Sequence, residues 1–255
     1  MPLFKVKTVW DYCTYNKPFF ILVLILFSVT TYVESYSDRY NDPIALFTFL
    51  LCFIIIFGYG LTITRDRINH GVRLPKIMPK DILVLGAKAV VVFVVYVVAQ
   101  DFLLDLICYP LGFPPFDLES MLFHYRDTVY MLFEHSPLYT VIFTILGAMT
   151  FYITLFFMEI ALARLADTGR LKGSFNLVTI KRIIDVIGWR HYTKECTLII
   201  IAMVLLGFLR SFTIPIDYID FIADLILSLL IFATQFLGLG AAYAGFKENG
   251  GKYDD

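Results

Sequence analysis

Charge is what this chain has least of: 17% of its 255 residues are Asp, Glu, Lys or Arg, where soluble domains carry about 25%. Pro, Gly and Ser nowhere gather into a linker, so residues 1–255 read as one domain. The four cysteines, Cys13, Cys52, Cys108 and Cys196, are scattered with no C-x-x-C pair. That spacing excludes the usual zinc and disulfide frameworks, and cysteine inside apolar runs behaves as a small hydrophobe. The four histidines, His70, His124, His135 and His191, form no H-E-x-x-H motif. His124 and Asp127 lie close in sequence but lack a third metal ligand. There is no G-x-S-x-G elbow, no P-loop and no dinucleotide fingerprint. No cofactor is therefore expected, and enzymatic catalysis is disfavoured.

What is abundant is apolar sequence. Hydrophobic residues make up 59% of the chain, and six long apolar segments stand out, at 18–35, 43–64, 82–108, 138–163, 194–212 and 218–246. Such runs match the roughly 20 residues that a helix needs to cross a bilayer. Helix-start signals precede most of them: Asp42-Pro43, Asp81, Ser136-Pro137, Thr193 and Asp217. Strands of this length are rare. The sequence thus predicts an all-α membrane protein of about six transmembrane helices. No small-x-small cleavage site follows the first segment, so it is read as a retained helix rather than a signal peptide.

Seventeen of the 21 lysines and arginines fall in the amino-terminal arm, the second and fourth loops and the carboxy-terminal tail. The other side carries only Arg39, Arg126 and Arg210, while Lys88 lies one or two turns into the third segment, from where it can reach the basic side. Because positive loops stay inside, this distribution predicts a multi-pass protein of the cell membrane with both termini cytoplasmic. Three connecting segments, 3–15, 118–134 and 175–187, look like interfacial amphipathic helices. In the last, Leu177, Ile180, Ile184 and Ile187 share one face and Lys181, Arg182 and Asp185 oppose it. These are expected to lie in the membrane surface with the apolar face toward lipid.

A set of residues recurs in a suggestive order. Gly58-Tyr59, Arg65, Gly71, Leu74-Pro75, Gly86, Lys88 and Tyr96 are followed by Ala163, Ala166, Gly169, Phe175, Gly188-Trp189 and Tyr192. This order resembles domain-of-unknown-function family 4013, an archaeal and bacterial membrane family, over about residues 57–243. The stretch around Leu74-Pro75 departs from the family pattern, with Arg73, Lys76, Met78 and Pro79 where acidic and aromatic residues are usual. The resemblance implies a multi-helix membrane fold of archaeal character and brings no activity with it. Gly71 and Gly169 follow apolar segments, where a left-handed residue after the helix favours glycine, and Gly188 is placed to end the third amphipathic helix.

Polar residues within apolar segments are costly and are the natural functional candidates. Asp101 and Asp105 share a face near the outer end of the third segment. Asp217, Asp220 and Asp224 share a face at the start of the sixth, with Arg210 close by in sequence. An outer polar cluster of Asp101, Asp105, Arg210, Asp220 and Asp224 would suit a cation or a headgroup; a structural ion-pair network is the plainer reading. Glu159 and Lys88 are the inner intramembrane charges, and an encounter between Glu159 and Lys88 or an arginine is expected. Gln235, Gly238, Gly240, Ala242 and Gly245 suggest close helix packing. The sequence favours a non-enzymatic protein that organises lipid or a protein partner, with homo-oligomers conceivable and nucleic acid excluded, since topology and anionic lipid explain the basic loops. A small permease or channel using the outer carboxylates is the alternative, and an intramembrane enzyme the third reading.

Overall fold

The computed structural model describes residues 6–40, 43–111, 137–210 and 217–251. Among them there is no strand. The helices are α1 (Val6–Thr14), α2 (Lys17–Tyr40), α3 (Pro43–Ile68), α4 (Pro79–Cys108), α5 (Pro137–Thr168), α6 (Leu177–Ile187), α7 (Trp189–Arg210) and α8 (Asp217–Glu248). Prolines open α3, α4 and α5, as their missing N–H and fixed φ favour. Helix α4 begins at Pro79, so Asp81 lies in its first turn beside the positive end of the helix dipole rather than capping it. The amphipathic segment expected at 118–134 lies outside the described residues.

Four described helical stretches are long and apolar enough to cross a membrane: Pro79–Cys108, Thr140–Thr168, Trp189–Leu209 and Phe221–Glu248. Their exposed surface is itself apolar. On α7, Leu198, Ile201, Val204, Leu205 and Phe208 are all exposed, a stripe that water would penalise and hydrocarbon accepts. The protein is an all-α membrane protein.

The chain divides into two compact units, Met1–Val90 with Ile160–Asp255, and Val91–Glu159. In the first unit α8 is the centre, packed against α1, α2, α3, α6 and α7. Of its most apolar window, 61% is buried in protein, against 22% for α7. Between membrane helices, burial of apolar area drives little, and close packing with interhelical hydrogen bonds has to supply the cohesion. Small residues provide the approach. A Cβ added at Gly240 of α8 would lie 2.8 Å from the Thr64 carbonyl oxygen of α3, and the buried Thr64 Oγ1 donates to the Phe236 carbonyl at 3.0 Å. Phe236 rests on Gly60 and meets Phe57 and Phe232 edge-on or tilted. Gly58 of α3 and Gly86 of α4 form a second crossing, where the two backbones touch.

Helix α6 departs from expectation. Ile180, Ile183, Ile184 and Ile187 are buried, and α6 packs on α8 and α7. The isoleucines of the stripe read from sequence as facing lipid face protein, and of the helix's apolar residues only the first-turn Leu177 and Val178 are exposed. Asn176 caps this helix by accepting from the Val178 and Thr179 N–H groups, and Gly188, at φ 95°, ends it.

In the second unit the carboxy-terminal half of α4 meets α5 through a small core of Leu104, Cys108 and Phe143, with Ile142 and Leu146 against it.

Candidate functional site

Asp101 and Asp105 lie on α4 in the second unit, both half-buried and flanking the buried Leu104. Asp224 lies half-buried on α8 in the first unit. The side chains of Arg210 and Asp220 fall outside the described residues. Among the described residues no three His, Cys, Asp or Glu side chains gather as metal ligands. Glu159 is buried in the carboxy-terminal half of α5. The second unit also holds an apolar crevice of about 430 Å³ between Phe93, Val97, Thr144, Gly147 and Met158, with no charged group in its walls.

Organised polar structure is found instead where the basic helix ends of the first unit meet. The last carbonyls of a helix have no partner within it and carry the negative end of the dipole. At the end of α5 three cations meet this need. Arg65 Nε of α3 donates to the Ala166 carbonyl. Lys88 Nζ of α4 donates to the Gly169 carbonyl at 2.7 Å, and Arg164 Nη1 folds forward to the Gly173 carbonyl at 2.6 Å. The buried Ser174 Oγ donates back to the Ala161 carbonyl at 3.1 Å. Gly169 takes the left-handed conformation at φ 67°, as its place after α5 suggests. Three helices are thereby tied at one level.

The end of α8 joins the same edge. Lys247 pairs with Asp167 at 2.6 Å, Asn249 Nδ2 donates to the Val186 carbonyl at 3.0 Å, and His70 Nε2 lies 3.9 Å from Glu248.

Beside this tie, α1 is fastened to α3, and the loop between α3 and α4 is pinned down by side chains from the turn after α1 and from α3. Tyr12 OH donates to Asp66 Oδ2 at 2.9 Å, Asn16 Nδ2 to the Leu74 carbonyl at 3.1 Å, and Tyr59 OH to the Pro75 carbonyl at 3.2 Å. Burial, and then the Asp66 charge, push the Tyr12 phenol well above its ordinary value, so it stays a donor. Burial alone pushes the neighbouring Cys13 thiol up to about 12. The left-handed residue in this turn is His70, at φ 61°, not Gly71. Gly71 is required for another reason: a Cβ there would lie 1.8 Å from Asp66 Oδ2. The carboxylate rests against its bare Cα.

These contacts leave an open groove of about 320 Å³ lined by Asn16, Asp66, Arg73, Leu74, Pro75 and Lys76. Arg73 and Lys76 are exposed, and among the described residues neither has an anionic partner. Exposed Val72 and Met78 flank them in sequence. Sequence reasoning singled out Arg65, Lys88 and Tyr59 but missed Tyr12, Asn16 and Asp66. Their signals were faint: an i, i+4 spacing of Tyr12 and Asn16 at and just past the end of α1 and an acid between two arginines in Arg65-Asp66-Arg67. It also missed Glu195, buried on α7 among the polar residues that open that helix.

Most residues of this architecture fall within one family match. The model of a family described as protein of unknown function (DUF4013) matches residues 43–216, about two thirds of the chain. No curated protein and no solved structure matches it.

Proposed function

The chain belongs to the DUF4013 family of proteins of unknown function, and from that premise we propose that it is a six-span protein of the cell membrane that organises lipid at its basic edge. Helices α2 and α3, of 24 and 26 residues, supply the two further crossings, since about 36 Å of helix exceeds the hydrocarbon thickness. The ends of α3, α5 and α8 and the start of α4 share one level through the contacts of Arg65, Lys88, Lys247 and His70. Tyr12 brings α1 to the same edge. An even number of crossings returns both termini to one side, and the excess of lysine and arginine there makes that side cytoplasmic.

The observation that carries the lipid reading is the composition of this edge. Exposed Trp10, Tyr15, Val72, Met78, Leu177, Val178 and Trp189 stand among exposed Arg73, Lys76, Lys80, Lys172, Lys181, Arg182, Arg190 and Lys194. Apolar and aromatic groups seat in the headgroup layer while the cations draw anionic lipid, each contributing about 1 kcal/mol near such a surface.

Native mass spectrometry of the detergent-purified protein tests this. Phospholipid is expected to stay bound in excess of its share of the extract. Protein free of lipid and without a crosslinked partner overturns the reading. Carboxylate-dependent flux in liposomes, lost in Asp101→Asn and Asp224→Asn, would replace it with the permease alternative.

A further inference from the structure

The groove beside Asp66 is more selective than a basic surface. Its walls hold both signs of charge: Arg73 and Lys76 on the loop, and Asp66 on α3. Asp66 is held in place by Tyr12 and by the absence of a side chain at Gly71. Asn16 is likewise fixed, its amide nitrogen committed to the Leu74 carbonyl. Tyr59 anchors Pro75 beneath. The acidic wall is therefore preorganised, and the two cations are long, flexible and without an anion among the described residues.

A simple phosphate would meet the cations but also the fixed carboxylate, which repels it. A group carrying phosphate and ammonium a few bonds apart satisfies both. We infer that this groove binds the headgroup of an aminophospholipid, its phosphate against Arg73 and Lys76 and its ammonium against Asp66. At about 320 Å³ the groove lies at the small end of ligand sites, which run from about 300 to 1,000 Å³. That is room enough for a headgroup. Arg73 presents a planar fork that can hold two phosphate oxygens, and Lys76 a point charge. Val72 and Met78, both exposed, give the loop apolar groups suited to the acyl chains that such a headgroup carries. The inference rests on the lipid reading above and sharpens it to one site and one headgroup class.

Native mass spectrometry with defined nanodiscs provides the test, using phosphatidylethanolamine, phosphatidylglycerol, or phosphatidylcholine with added inorganic phosphate. The wild-type protein is expected to retain phosphatidylethanolamine in preference to the other two. The double variant Arg73→Gln/Lys76→Gln is expected to lose about tenfold in that retention, as removal of charge-assisted contacts does. Asp66→Asn should abolish the preference for phosphatidylethanolamine over phosphatidylglycerol while leaving total lipid retention in place. Tyr12→Phe, which keeps every charge but releases the Asp66 carboxylate, should weaken the preference without abolishing it. Equal retention of both phospholipids by the wild type, or displacement of lipid by inorganic phosphate, overturns the inference while the broader lipid reading stands. Failure to retain any lipid overturns both.

Discussion

The contact of Gly58 with Gly86 makes a demanding prediction. A methyl group at position 58 would lie 2.0 Å from the Ile82 carbonyl oxygen, and one at position 86 would lie 1.9 Å from that of Ile54. Both obstacles are backbone atoms, which have no rotamer to change. To reach even 3.0 Å, α3 and α4 must part locally by about 1 Å. Overpacking of this kind costs about 1–3 kcal/mol. Separation also forfeits the close Cα–H to carbonyl contacts, worth about 0.5–1 kcal/mol each. The gain in helix propensity from replacing glycine, about 1 kcal/mol, offsets part of this. Gly58→Ala is thus expected to lower stability by about 1–3 kcal/mol, which for a chain of this size is a fall in Tm on the order of 5 °C. Gly86→Ala should behave alike. The double variant should cost clearly less than the sum, because one separation relieves both clashes and neighbouring sites couple. Gly147→Ala, where an added Cβ meets nothing within 4 Å, is the control and should be neutral or slightly stabilising. Thermal unfolding in a single detergent, followed by tryptophan fluorescence and size-exclusion chromatography, reads all four. An unchanged Tm in Gly58→Ala, or strict additivity in the double variant, would refute the proposed contact.

Three further predictions concern the basic edge. Lys88→Met keeps the stem but removes the donor to the Gly169 carbonyl, and should destabilise by roughly 1.5–3 kcal/mol, the range for a hydrogen bond from a charged group; an unfolding transition equal to wild type would show that the bond carries nothing. With its thiol pushed up to about 12, Cys13 holds only about one thiolate in ten thousand at pH 8, so it should resist maleimide labelling until the protein unfolds. Tyr12 and Cys13 both release protons more easily when unfolded, so their contribution is whole below about pH 9 and is lost as pH rises toward 12. A Tm that rises over that interval would contradict this sign.

Helix existence was legible because the apolar runs exceed what a soluble strand needs and because Pro43 and Pro137 mark helix starts; the start of α4 at Pro79 was placed three residues late, at 82. Gly169 and Gly188 were legible too, since a helix end has few other ways to turn. What period alone does not carry is the identity of the covering surface. The isoleucine stripe of α6 has the same spacing whether lipid or α8 lies on it. The turn at His70 shows a related failure. Glycine next to a helix end suggests the left-handed position, yet here the histidine takes that conformation and Gly71 serves a carboxylate. The site was least legible because its contacts span long intervals of sequence. Tyr12 meets Asp66, and Arg65 meets Ala166, and no local pattern announces partners so far apart.

The central place of α8 bears on how the protein is made. Every described helix that α8 touches, from α1 to α7, leaves the ribosome before it. At about 5–20 residues per second, some seconds to half a minute pass between completing α3 and completing α8. During that wait the Gly60 and Thr64 surface of α3 stands without its partner helix. Whatever chaperones nascent membrane helices must shield this face, and substitutions in α8 should therefore register first as lost yield rather than altered behaviour of the mature protein.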